Sequence, residues 1–415
     1  MKAYLVAGLG FGDEGKGSIV DYLCRVKGVG LVVRYNGGPQ AAHNVVTPEG
    51  VHHTFSQFGS GTLAGAITYL SKYMLVEPYA MINEANTLEL VLNKDPFDML
   101  VVDKECVIIT PWHWIANRIK ETFRGACKHG SCGMGVGEAR HDQLIDNISL
   151  HVGQINDRDH ALKIMADIKR NKLVECAHYI NDATRGLYDR LILQDPEEVL
   201  ADYYKWYTKL WCIASTYLEG HVAAHADENI AFEGAQGVLL DEIFGFAPHN
   251  TWTDCTFENA KKLIGGIDIE REEIGVIRTY MTRHGAGAFP TEDPSLRYED
   301  LYNFEGPWQG PLRFGHFDAV LLRYALNCIQ GVDYLAVTHI DQTKGSWVYC
   351  NHYVSPAGIL SATTTASDNS SLSREKAAII CGDFSIPKVE SLLNTPVRLV
   401  SFGPSSENKA FITMR

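Results

Sequence analysis

The stretch Gly10-Phe-Gly-Asp-Glu-Gly-Lys-Gly-Ser18 gathers the groups a bound phosphate needs. Phosphate oxygens want backbone N–H donors and no crowding side chains. Closely spaced glycines and a helix N-terminus supply both, and Lys16 adds a positive charge. The spacing Gly10-x4-Gly15-Lys16 fits a P-loop, although Gly17 stands where Ser or Thr should follow the lysine and Ser18 comes one place late. Asp13 and Glu14 are out of place in an anion loop unless one holds Mg²⁺ or works as a base. The bland alternative is a plain glycine turn, against which strand, loop, lysine and helix all agree.

Four more blocks carry polar residues among small ones. Arg34-Tyr-Asn-Gly-Gly-Pro-Gln-Ala-Ala-His43-Asn44 ends in a histidine able to donate to a phosphate oxygen, although a lone histidine is more often a core or surface residue. Phe232-Glu-Gly-Ala-Gln-Gly-Val-Leu-Leu-Asp241 carries one amide suited to a purine or ribose edge. Thr282-Arg-His-Gly-Ala-Gly-Ala-Phe-Pro-Thr291 is the fourth, and Thr338-His-Ile-Asp341 closes a buried strand. An aspartate there can accept from N1–H and the exocyclic amine of guanine, which adenine cannot offer.

The elements that must position these blocks are legible too. Ala3 to Ala7 is an apolar run of strand type, a helix is expected from about Ser18, and GLVVRYN reads as a second strand. Strand, glycine turn, helix and strand open an α/β fold with a large, mostly parallel central sheet and smaller helical subdomains. Sheet signal returns at NIAFEGAQGVLLD, EIGVIRTYMT and DYLAVTHID, while about 100–225 reads as a mostly helical section. No linker or repeat divides the chain, so 1–415 is expected to be one domain. Residues 361–373 read as a polar surface loop.

Composition narrows the function. With 37 Lys+Arg against 50 Asp+Glu the net charge is −13, which argues against a surface that coats nucleic acid. Ten scattered cysteines form no Cys-x-x-Cys pair, so neither a zinc ribbon nor a disulfide framework is expected. No apolar stretch approaches the ~20 residues of a membrane span, and the N-terminal run is too short for a signal peptide. The expectation is a cytoplasmic enzyme with no membrane partner.

In this order the five blocks resemble the adenylosuccinate synthetase family. Gly12 to Gly17 match its Gly-Asp-Glu-Gly-Lys-Gly, and Glu233 to Asp241 match its Glu-Gly-Ala-Gln-Gly-x-Leu-Leu-Asp in full. Gly37 to His43, Thr282 to Glu292, Thr338 to Asp341 and Ser401-Phe-Gly-Pro404 resemble further family blocks. The resemblance implies a GTP-dependent ligase, acting as a homodimer, that phosphorylates the 6-oxygen of IMP and lets L-aspartate displace the phosphate. It implies a catalytic set of Asp13, His43, Lys16 and Gln236, with Asp13 as base and His43 as acid. Gly12, Asp13, Glu14, Gly15, Lys16, Gly17 and Ser18 would surround the phosphates. Gln40, Ala41, Ala42, Cys132, Gln236 and Thr251 would meet the nucleotide, and Asp13 and Ala42 the Mg²⁺. His339, Asp341, Ser401 and Gly403 would enclose the guanine, and Arg313 and Arg283 the aspartate. Arg140 is the candidate for an arginine lent across the dimer.

Departures from the family cluster at the purine and the amino acid. Gln40 replaces an asparagine and Ala42 a glycine, while Cys132 and Met134 replace a hydroxyl and an arginine. The aspartate loop keeps only Arg313 of an arginine run, and His339 replaces the guanine-loop lysine. A branch of the family joins aspartate to dGMP in phages whose DNA carries 2-aminoadenine. Two acceptors therefore stay open, IMP or a guanylate such as dGMP, as does an inactive nucleotide-binding subunit. Elsewhere Trp112, Trp114, Trp206 and Trp211 are expected in packing and His52-His53 in a loop. Gly59-Ser-Gly61 is expected as a turn near the site, and Cys127, His129 and Cys132 as no metal site.

Overall fold

An apolar run can be buried on both faces only inside a sheet covered by helices, and Lys2–Gly8 lies at the centre of one. The computed structural model describes residues 1–300, 302–303, 308–343, 346–354, 358 and 360–412. The main sheet's strands are β1 (Lys2–Gly8), β2 (Val29–Arg34), β3 (Ile67–Leu70), β4 (Leu100–Val102) and β5 (Cys212–Ile213), then β6 (Asn229–Glu233), β7 (Glu270–Arg278), β8 (Tyr334–Thr338), β9 (Val397–Ser401) and β10 (Lys409–Phe411). They lie in the order β10-β9-β8-β7-β1-β6-β2-β3-β4-β5. Every neighbouring pair is parallel except β9 with β10. Parallel strands end at one edge, so Gly8, Arg34, Glu233, Arg278, Thr338 and Ser401 all finish on the same side.

The period-2 alternation of the strands separates two cores. Val6, Val32, Ala231 and Val276 pack on Ile19, Val20 and Leu23 of helix α1 (Lys16–Lys27). Leu5, Val33, Phe232 and Val337 face the other way, against Leu321 and Leu322 of the helix Ala319–Cys328. Helix α1 starts at Lys16, two residues before the expected Ser18, because Gly15 adopts φ 90 and turns the chain into the helix there.

The expected helical section contains α2 (Pro111–Arg124), α3 (Arg158–Cys176), α4 (Arg185–Leu193), α5 (Pro196–Tyr207) and α6 (Tyr217–Ala224). It is not helical throughout, since β4 and β5 from the same stretch extend the main sheet. Its helices bury a third core with Trp112 and Trp206 at its centre, whereas Trp211 lies outside that core and is exposed. His52 and His53 are not in a loop. They belong to the strand His52–Phe55, paired antiparallel with His43–Val46, and His53 is buried.

Candidate active site

A cavity of about 1380 Å³ lies at the carboxyl edge of the sheet, where open α/β folds place ligands. The glycine loop forms its floor. Gly12 and Gly15 take φ 92 and 90 and Asp13 takes φ 62, which turns the loop sharply out of β1 and into α1. The start of α1 has no side-chain cap, so the first-turn N–H groups are left for an anion. Glu14 is not on the cavity wall but turned beneath the loop. Its Oε1 accepts from the N–H groups of Gly10 and Gly12, both at 2.9 Å, and its Oε2 lies 2.6 Å from Lys16 Nζ. Gly12 and Lys16 line the cavity, but the Gly12 amide and the lysine ammonium each also bond Glu14, a pairing the expected cradle did not include. An unpaired buried carboxylate costs several kcal/mol, so Glu14 takes the lysine two residues away.

Asp13 faces the cavity, with Oδ2 3.2 Å from His284 Nε2. Burial raises its pKa, but the hydrogen bond and charge of His284, joined by the charges of Arg278 and Lys16, together outweigh that and hold the carboxyl below its ordinary range. The same contact raises His284 against its own burial. Asp13 O also accepts from Arg278 Nε, and Arg278 reaches Tyr280 and Asp300. Asp13 and the loop are therefore pinned from the ends of β1 and β7 at once.

His43 begins the hairpin that folds over α1, and its Nδ1 lies 2.5 Å from Glu233 Oε1. Glu233 is fully buried and also accepts from Ser60 N at 2.9 Å and from Ser60 Oγ. Burial would raise its pKa, yet the charge of Arg34 and the hydrogen bonds from His43 and Ser60 bring it down to about 2. An ionised carboxylate only accepts, so Nδ1 carries the proton and Nε2 is the nitrogen left for a ligand. Burial, with the charges of Arg34 and Lys16, lowers the His43 pKa more than Glu233 raises it, leaving the ring neutral. The Gly59-Ser-Gly61 turn lies beside the site as expected, with Ser60 as its working residue.

Gln40, Ala41, Ala42, Cys132, Gln236 and Thr251 all line the cavity. Both amide atoms of Gln40 are buried without a partner, as in a side chain whose partner is the ligand. Burial pushes the Cys132 thiol up to about 11, so it stays protonated at neutral pH. His339, Asp341, Ser401 and Gly403 share one end of the cavity wall. Thr338 Oγ1 donates to Glu14 O at 2.7 Å, so the His339 Nδ1 only 2.9 Å away must itself carry the ring proton. Burial keeps His339 neutral, and Nε2 presents a lone pair where the family lysine presents a cation. The 403–405 turn is tied down by Lys409, whose Nζ donates to the carbonyls of Gly403, Pro404 and Ser405 at 3.1, 3.1 and 2.9 Å.

Three arginines expected at the ligands are engaged with groups of this chain. Arg313 is off the cavity wall, held 2.7 Å from both Glu292 and the Gly287 carbonyl, because its β-hairpin pairing with Arg283 turns it toward those neighbours. Arg283 does line the cavity, but its guanidinium lies over Phe11 and donates to the Ala288 and His249 carbonyls. Burial pushes its pKa down to about 9. Arg140 donates to Trp252 O and Gln143 outside the wall. Phe304 to Pro307 of the aspartate stretch lie outside the described residues.

The family model "Adenylosuccinate synthetase" matches residues 5–377. The chain belongs to the adenylosuccinate synthetase family. It is 31% identical to the Legionella pneumophila adenylosuccinate synthetase over an alignment covering 100% of this chain and 99% of that one. It is 32% identical to the Thermoplasma acidophilum enzyme, over 82% and 76%. The fold matches the fully ligated adenylosuccinate synthetase of Plasmodium falciparum (TM-score 0.82, 20% identity, 99% of each chain). It also matches the cyanophage S-2L succinoaminodeoxyadenylate synthetase bound to dGMP and dATP (TM-score 0.60, 16% identity, 99% and 95%). As a family member the chain is a purine-biosynthetic, nucleotide-binding ligase that forms a C–N bond. Among the described residues no helix is long and apolar enough to cross a membrane.

Sequence reading missed four residues of this adenylosuccinate synthetase-family site. Glu233 and Ser60 fall in stretches the sequence singled out, but nothing local shows that they pair with each other and with His43, because Glu233 is 190 residues from that histidine. Lys409 lies outside every motif. His284 did leave a signal: it stands where the family block has valine, a polar residue at an apolar position.

Proposed function

We propose that the protein is a GTP- and Mg²⁺-dependent ligase that condenses L-aspartate with IMP through a 6-phosphoryl intermediate, giving the N6-succinyl nucleotide, GDP and phosphate. One observation carries the reading: Asp13 and the Glu233-oriented His43 face one cavity with the uncapped end of α1 between them. Asp13 takes the N1 proton, so that O6 becomes nucleophilic. The first-turn amides of α1 hold the transferring phosphoryl group, and His43 Nε2 becomes a donor as that anion raises its pKa.

Asp13 and Ala42 fit the Mg²⁺. Mg²⁺ prefers hard oxygen ligands and few of them from protein, and Asp13 is held ionised with Oδ1 unengaged among the described residues. Bound there, the cation would neutralise charge on the phosphates. Neutral His339 and Asp341 suit a guanine edge, which makes GTP the donor. The enzyme works as a homodimer, with Arg140 serving a partner's cavity, and light scattering on the purified chain tests that.

A product assay by mass spectrometry with GTP, Mg²⁺, aspartate and IMP, GMP or dGMP in parallel is expected to yield succinylated IMP. No product with any of the three overturns ligase activity on 6-oxopurine nucleotides. The second reading, a guanylate acceptor, is favoured by the unpartnered Gln40 amide and by Cys132 at the nucleotide wall; product from dGMP alone would select it.

Two further results are expected. His284→Val removes the hydrogen bond that depresses Asp13, so the acid limb of the kcat/KM profile should move to higher pH; an unmoved limb means Asp13 is not the group titrating. Lys409→Met should raise the KM for GTP about tenfold while leaving kcat near wild type, since three hydrogen bonds of ~0.5–1.5 kcal/mol hold the turn. Burial lowers Lys409 to about 8, so the ammonium loses its third donor above that pH. Wild-type KM for GTP should rise between pH 7 and 9, and the variant's should not.

A further inference from the structure

A second cluster of ligating side chains lies far from the catalytic cavity. His221 and His225 are one helical turn apart at the end of α6, so their rings share a face, stacked with centroids 4.4 Å apart. The chain then turns, with Glu228 N donating to His225 O at 3.0 Å, and this brings the Glu228 carboxylate back to both rings.

Three observations indicate an ion rather than a hydrogen-bonded cluster. Glu228 Oε2 lies 3.5 Å from His221 Nε2 and Oε1 lies 3.7 Å from His225 Nδ1, and one atom from each residue falls within 4.8 Å of the others. These gaps are long for hydrogen bonds, but close to the ~3.4 Å that separates two ligands on a tetrahedral ion with bonds of about 2.0–2.1 Å. His221 Nε2 is buried and has no partner, an orphaned lone pair or proton aimed at the carboxylate. Glu228 enters a space kept open by Gly30 of β2, where a Cβ would come within 2.0 Å of Oε2.

We propose that His221, His225 and Glu228 form a binding site for a divalent transition ion of zinc type, which ties α6 to the start of β6. Two imidazoles and one carboxylate suit zinc, cobalt or nickel better than Mg²⁺. His225 and Glu228 are about two-fifths exposed, which leaves the fourth position to water. Glu228 immediately precedes β6, and Glu233, five residues on, closes that strand about 16 Å further along at ~3.3 Å per residue. The ion is therefore structural, separate from the catalytic Mg²⁺.

The test uses the full chain stripped of metal. Zinc titration against a chromophoric chelator is expected to give one site of micromolar or tighter affinity, weakened at least tenfold in both His225→Ala and Glu228→Gln. Zinc should raise the melting midpoint of the wild type by a few degrees and not that of the variants. These residues are partly exposed, so both variants should fold; His221→Ala, at a buried site, is not needed. Cobalt should give a tetrahedral spectrum without thiolate charge transfer, which separates this site from the ten free cysteines. No zinc bound at ~100 µM, undiminished binding in both variants, or a thiolate signature each overturns the proposal. Turnover with Mg²⁺ should be unchanged in the variants, and its loss would likewise refute a site separate from catalysis.

Discussion

Asp13→Asn is expected to lower kcat by 10²–10⁴-fold, about 3–5 kcal/mol of barrier, with nucleotide affinity within threefold of wild type. Asparagine keeps the shape of the side chain and can turn its carbonyl oxygen to His284 Nε2, so the loop geometry survives. The backbone anchors survive as well, because Arg278 binds the carbonyl of residue 13 and not its side chain. Only the capacity to take a proton is lost, along with the charge that faces the cation. Single-turnover measurement with labelled GTP, paired with equilibrium nucleotide binding, separates the two quantities. A kcat within a factor of ten of wild type would remove Asp13 from the role of base. Parallel loss of affinity would mean that the residue mainly holds the nucleotide.

Glu233→Gln is expected to cost 10²–10³-fold in kcat and about 2–3 kcal/mol of stability. Glu233 accepts three hydrogen bonds and donates none: from His43 Nδ1, Ser60 N and Ser60 Oγ. An amide must point its NH₂ at one of these donors. Facing Ser60 it sets two N–H groups against each other in a fully buried site. Facing His43 it forces the proton from Nδ1 to Nε2 and inverts the group presented to the ligand. The charge that favours protonated His43 is lost either way. The unfolding midpoint in urea gives the stability change, and kcat against pH gives the histidine. The sign is definite: with Glu233 depressed to about 2, its contribution is fully present above the ordinary glutamate pKa and is lost only as pH falls toward 2. Wild-type stability at neutral pH therefore includes this pair, and the variant's does not. If His43 keeps its rate contribution in Glu233→Gln, the carboxylate is a packing element only.

The phosphate loop was legible because its chemistry is local. Glycines at 10, 12, 15 and 17 with Lys16 make sense within nine residues, and a strand before and a helix after complete the motif. The buried strands were legible for a similar reason, since a continuous apolar run has few places to go. Even there, local reading erred on Glu14 and Lys16. The pair could be seen to neutralise each other only once Gly8 had left room for both side chains beneath the loop.

What only the tertiary structure decided has large sequence separation. His43 and Glu233 are 190 residues apart, and Asp13 meets Arg278 at the end of β7, 265 residues further on, and His284 on the separate short strand Met281–His284. Their meeting follows from the order β7-β1-β6-β2, which sets the two N-terminal strands beside strands more than 190 residues further along, with all carboxyl ends at one edge. The same geometry removed Arg313 from the cavity, because hairpin pairing and Glu292 fix its direction. Sequence alone therefore determined the family, through the order of its motifs, and the strand segments and anion-binding turn, whose residues are near neighbours in the chain. Which carboxylate steers His43, which histidine holds Asp13 and which arginine is free were decided by strand order, since only the packed sheet brings those groups within hydrogen-bonding reach.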